Sequence, residues 1–164
     1  MDPLDTFILT ARHAKHAIEI ETDLRAAIAQ DLAACLVARP EPWFFVAEPT
    51  LTVFATRGAP GSGSAPHDHG IEAIIGCLAG REGSRLYDLD RGDLREIARS
   101  ELRAGDAHVV GPRAIHAVFN CWNEPNLVLH VYRGDFLATP KRVWDPITGS
   151  ATTLGLGEPL AVLS

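Results

Sequence analysis

The sequence predicts an all-β domain, a barrel or sandwich, carried behind an N-terminal helical segment. Three observations predict it. Beyond Pro40, short runs rich in β-branched and aromatic residues recur at intervals of about ten residues. Gly, Pro, Asp and Asn separate those runs. Before Pro40, apolar residues instead recur at helical spacing. The expected division is a helical segment over 1–40 packed on the barrel, the barrel over 41–149, and a tail of the same domain over 150–164.

Between Leu4 and Ala38, residues Leu24, Ile28, Leu32, Cys35 and Leu36 share a helical face. Thr22 is the expected N-cap, and Pro40 and Pro42 close the stretch. The strands then follow in order as WFFVAE, LTVFAT, IEAIIGCLAG, SRLYDLD, LREIARSEL, AHVVG, HAVFNCW, LVLHVYRG and KRVWDP. DRGD and RAGD read as turns, the first a hairpin. GAPGSGSAP reads as the longest flexible loop, and it delivers the chain to His67. The last residues, GSATTLGLGEPLAVLS, are too weakly patterned to place an element.

At 164 residues the chain suits one domain with a sizeable core. A formal net charge of −6 provides no electrostatic footprint for nucleic acid or an anionic membrane. No run approaches the roughly 18 apolar residues that span a bilayer. The first residues lack a basic segment followed by an apolar one, and Cys35, Cys77 and Cys121 are few and far apart. The expectation is a reduced, cytoplasmic protein, monomer or homodimer, whose partners are small molecules.

Seven histidines carry most of the functional signal. His13 and His16 fall in the helical zone and read as surface residues. His67 and His69 stand two apart, so an extended backbone sends both imidazoles from one face toward one ion. His116 follows the Gly111-Pro112 turn and enters another apolar run. A third imidazole there completes a three-nitrogen site with positions left for water, oxygen or substrate.

The segments PHDHGIEAIIGCLAG and GDAHVVGPRAIHAVFN resemble the two motifs of the cupin superfamily, a double-stranded β-helix or jelly-roll-like barrel. Within it, HDH with Gly70, LHVYRGDF and KRVWDPITG resemble the thiol dioxygenase branch, that of cysteine dioxygenase and its bacterial relatives. The resemblance covers Pro42 to Gly149. It implies that His67, His69 and His116 hold a mononuclear non-haem Fe(II), with Zn or Ni able to occupy the site in a preparation. It implies O2 as co-substrate, and it places His130 and Tyr132 beside the metal as catalytic residues. His130 and Tyr132 alternate with Val131 and so face one side.

Other residues are placed by parity. Glu72, three after His69, points to the opposite face unless Gly70 bulges, and is an unfavoured fourth ligand. Asp68 faces away from the metal, and His108 reads as a core or surface residue. The family's substrate-binding arginine on the first barrel strand has no counterpart in Trp43-Phe44-Phe45-Val46. Arg39, Arg57 and Arg113 are the candidates to bind a carboxylate in its place. Val128 stands where cysteine dioxygenases carry a serine that orients the histidine. The crosslinking cysteine of the animal enzymes would fall near Ile74, so no crosslink is expected, and Cys77 reads as a buried strand residue. The favoured reading is an oxidation of a small thiol to its sulfinate. The alternatives are a metal-dependent cupin reaction of another class on a non-thiol substrate, and a non-catalytic module binding a metal or ligand.

Overall fold

The computed structural model describes residues 1–154 and 162–163. Much of the expected tail, 150–164, therefore lies outside the described residues.

The N-terminal zone folds as three helices, α1 (Pro3–His13), α2 (Ala17–Ala29) and α3 (Leu32–Val37). Asp2 caps α1 by accepting from the Asp5 amide at 2.9 Å, with Pro3 at the first helical position. Asp31 caps α3 from a left-handed conformation. Thr22 is not a cap. It lies inside α2, where its hydroxyl donates to the Ile18 carbonyl. The chain had already re-entered the helix at Ala17, after His16.

The strands form two five-stranded antiparallel sheets that face each other as a double-stranded β-helix. The first contains β1 (Phe44–Glu48), β2 (Leu51–Gly58), β4 (Ala73–Ala79), β7 (Ala107–Val110) and β9 (Asn126–Tyr132), in the order β1-β2-β9-β4-β7. The second contains β3 (Gly63–Ser64), β5 (Arg81–Asp90), β6 (Asp93–Arg103), β8 (Ile115–Phe119) and β12 (Val162–Leu163), in the order β12-β3-β8-β5-β6. A separate hairpin pairs β10 (Lys141–Trp144) with β11 (Ala151–Leu154). All nine expected runs carry a strand. The three described strands without a predicted run are β3, within GAPGSGSAP, and β11 and β12, within the weakly patterned tail. The β5–β6 hairpin turns at Arg91-Gly92, both at positive φ, as a two-residue loop of this hand requires.

Period-two alternation divides the core in two. Leu127, Leu129 and Val131 of β9, with Ile74 and Leu78 of β4 and Leu51 and Val53 of β2, face the helices and pack on Leu4, Phe7, Ile20, Leu24 and Leu32. The intervening Val128 and Tyr132, with Ala73, Ile75 and Cys77, face the barrel interior. Helix α2 lies so close on β4 that a Cβ at Gly76 would stand 2.7 Å from Leu24 Cδ2. That contact fixes the helices against the outer face and leaves the inner face to the site.

Candidate metal centre

The segment 66–70 runs between two strands. His67 pairs through both backbone groups with His116 of β8, at 2.9 and 3.0 Å. The Asp68 amide donates to the Arg142 carbonyl of β10, the Trp144 amide to Pro66, and the Gly70 amide to Pro112. Gly70 ends the segment at a φ of 70°, a conformation that glycine adopts without strain. Extended backbone between these bonds sends His67 and His69 inward and Asp68 outward, as the spacing predicts.

Outward, Asp68 meets Arg142. Its carboxylate accepts from the Arg142 backbone amide at 2.8 Å, from Nε at 2.7 Å and from Nη2 at 2.7 Å. Inward, the three imidazoles converge. Nε2 of His69 lies 3.0 Å from Nε2 of His67 and 3.3 Å from Nε2 of His116. His67, His69 and His116 are 2%, 1% and 2% exposed. Burial pushes each below the ordinary histidine range; His67, His116 and His130 reinforce this at His69, and His67, His108 and His130 at His116. Neutral rings so close, with lone pairs to offer, are a donor set in need of a cation. His67 directs Nδ1 to the Ala65 carbonyl at 2.8 Å, which fixes its ring and leaves Nε2 for the ion. With metal–nitrogen bonds of about 2.1 Å, donors at right angles stand about 3.0 Å apart and tetrahedral donors about 3.4 Å. The residues therefore fit a divalent transition metal bound by His67, His69 and His116.

The site opens on a cavity of about 490 Å³. Phe54, Ile75, Phe119 and Phe136 supply apolar wall. From β9, His130 and Tyr132 both line the cavity. Their rings are parallel with centroids 6.5 Å apart, so neither orients the other by hydrogen bonding. His130 is instead held by Thr56 of β2, whose Oγ1 lies 2.8 Å from Nε2, and by stacking on Phe54 at 4.8 Å. Burial pushes His130 down to about 4, so the ring is neutral at physiological pH. Tyr132 stands edge-on to His69 at 5.1 Å and stacks on Phe136 at 4.0 Å. Burial pushes its phenol upward, so it remains a protonated donor.

The remaining candidates divide. Arg57 is half-exposed at the cavity rim, over the Trp43 ring. Arg39 is not brought to the site: it pairs with Asp2 at 2.6 Å and Asp5 at 3.0 Å. Arg113 is exposed and does not line the cavity. Glu72 faces away from the imidazoles and pairs with Arg133 at 2.7 Å. His108 is half-buried on β7 and His13 and His16 are exposed. Cys77 is buried, and burial pushes its thiol up to about 12.

Three cavity residues had not been singled out in the sequence. Thr56 orients His130. Lys141 places its ammonium 3.8 Å from the centroid of Phe136 and donates to the carbonyls of Phe136 and Thr139. Glu82 of β5 is 5% exposed, and burial pushes its carboxyl up to about 8. Parity along β5 and β9 could have found Glu82 and its interior position; Thr56 needed the β2–β9 register.

No described helix is long and apolar enough to cross a membrane. No protein-family profile matches the chain. Solved structures similar to it include oxalate oxidase in complex with the substrate analogue glycolate, at 17% identity and a TM-score of 0.46 over 52% of this chain and 43% of that one. The DMSP lyase DddQ from Ruegeria pomeroyi DSS-3 is 22% identical, with a TM-score of 0.44 over 54% and 40% of the two chains. A conserved protein with a double-stranded β-helix domain from Klebsiella pneumoniae is 17% identical, with a TM-score of 0.48 over 73% and 85%. The chain thus spans less than half the length of the oxalate oxidase and the lyase. Of these neighbours, the Klebsiella protein is named for a double-stranded β-helix domain.

Proposed function

We propose that the protein is a mononuclear non-haem Fe(II) dioxygenase that oxidises a small thiol to its sulfinate with O2. The observation that carries this reading is the joint placement of the three converging imidazoles and the His130–Tyr132 pair on one cavity. The reaction balances without an external reductant. The thiol sulfur gives up four electrons, O2 takes up four, and both oxygen atoms enter the sulfinate.

His67, His69 and His116 would hold the ion, and when bound it would supply Lewis acidity toward a thiolate and the redox chemistry that O2 requires. Three neutral ligands leave the ion's charge uncompensated, so an anionic sulfur is favoured there. Lys141 adds a buried ammonium on the same cavity, and after burial its charge is a further cause of the lowered His67 and His69 values. Tyr132, kept protonated, is a hydrogen-bond donor toward a ligand beside His69. Thr56 fixes the His130 ring so that it presents a constant face to the cavity. The aromatic walls surround these groups with apolar surface, in which their electrostatic interactions are stronger than in water.

The test is oxygen consumption by anaerobically Fe(II)-reconstituted protein offered a panel of thiols, with product mass determined under isotopically labelled O2. The expected product carries two labelled oxygen atoms per sulfur. Bound iron with no thiol-dependent uptake would overturn the reading. It would favour a different metal-dependent reaction, consistent with Phe44 rather than an arginine on the β1 stretch of the cavity wall.

A further inference from the structure

Glu82 is a buried acid on the cavity wall that the chemistry above does not use. Its side chain lines the same cavity as the three imidazoles. Its Oε1 is inaccessible to solvent and has no hydrogen-bond partner among the described residues. A carboxyl in such a place is costly unless a ligand completes it. Across the β5–β8 ladder, His116 pairs with Leu86, and Glu82 lies four residues further along β5 on the same face. At about 3.3 Å per residue, Glu82 stands roughly 13 Å along the strand from the level of His116. Beside Glu82 the wall contains the Phe119 ring, which lies against Gly83, and Asn126, which donates to the Arg81 carbonyl. The cavity's buried cation, Lys141, acts on His67 and His69 and is not among the influences on Glu82. Glu82 makes no ion pair with a described residue, so its buried carboxyl has neither a donor for Oε1 nor a paired cation.

We propose that Glu82 forms a second subsite that recognises a primary ammonium group on an elongated ligand, whose apolar middle lies against the aromatic wall. An ammonium supplies the hydrogen-bond donor that Oε1 lacks and the positive charge that ionises a buried carboxyl. A hydroxyl supplies only the first, and a methyl group neither. The proposal rests on the thiol-oxidising reading only for which end of the ligand faces the imidazoles.

The test separates the two readings. Hexylamine, hexanol and hexane-length thiols with and without a terminal amine are titrated calorimetrically into the full-length protein, its Glu82→Gln variant and its Glu82→Leu variant. Hexylamine is expected to bind the wild type about tenfold or more tightly than hexanol, the discrimination a charge-assisted hydrogen bond provides. Both variants, which relieve a buried unpaired acid and so retain the fold by circular dichroism, are expected to lose that preference while binding hexanol as before. Equal binding of amine and alcohol to the wild type, undetectable amine binding, or a preference that survives in folded variants overturns the proposal. Amine selectivity without oxidation of any thiol leaves Glu82 in its role and rejects the thiol reading instead.

Discussion

Replacing Asp68 with alanine tests how the metal centre is held. Asp68 stands between His67 and His69, and its carboxylate receives three bonds from Arg142 at 2.7–2.8 Å. The Asp68 side chain is 7% exposed and that of Arg142 49%. Removing one partner of a fully buried pair costs about 3–5 kcal/mol, because the other charge is stranded. Here the guanidinium is half in water and recovers hydration, which lowers the expected cost to about 2 kcal/mol. For a domain of this size that loss shifts Tm by about 4–8 °C. The second effect is local. Asp68 fastens segment 66–70 to β10, and losing a group that positions ligands typically weakens metal binding about 10–100-fold. Thermal unfolding of the metal-free variant reads the first effect, and competition with a chromophoric chelator reads the second. Asp68→Asn, which keeps one acceptor for the Arg142 amide, should fall between. An unchanged Tm together with unchanged metal affinity would refute the reasoning, since neither the ion pair nor the tether would then matter.

Other predictions follow from single contacts. Gly76→Ala places a Cβ 2.7 Å from Leu24 Cδ2 and should destabilise by about 1–3 kcal/mol; Leu24→Ala in the same chain should recover part of that loss, and no recovery would show that the strain lies elsewhere. Glu82 carries a folded-state pKa of about 8 against an ordinary 4.5, so the unfolded chain releases its proton first and this residue's destabilising effect grows as pH rises between those values. Glu82→Gln should therefore gain stability over wild type from pH 5 to pH 8, up to a ceiling of about 5 kcal/mol; a pH-independent difference in urea unfolding would contradict this. Thr56→Val removes the bond to His130 Nε2, worth about 1 kcal/mol, and should lower turnover about fivefold with little change in Tm. A large loss of stability with unchanged turnover per folded molecule would make Thr56 merely structural.

The strands were legible because alternation and punctuation are local properties, and the inner face of β9 follows directly from Val128, His130 and Tyr132 alternating with apolar outward residues. His67 and His69 were legible for the same reason: spacing of two on extended backbone dictates one face. What remained hidden depended on distant chain. Gly63–Ser64 has no strand character of its own and is extended because Gly63 pairs with Phe119 of β8. Thr22 looks like a cap because the break in the helix falls at Ala14–His16, where no capping side chain marks it. The oriented state of His130 comes from Thr56, a diagonal neighbour across the β2–β9 register. Glu82 lies outside the apolar run SRLYDLD, whereas β5 begins at Arg81 and its parity carries Glu82 inward. Arg39 looked available in sequence, and only the fold sets it against Asp2 and Asp5.

The central claim is that His67, His69 and His116 together bind one metal ion. Its most direct test is metal stoichiometry after anaerobic loading with Fe(II) and desalting, measured on wild type and on His69→Ala and His116→Ala variants shown to be folded. One ion per chain is expected in the wild type, with a loss of retained metal in each variant. A wild type that retains no metal, or variants that retain it as well as wild type, would show that these three imidazoles do not bind an ion together.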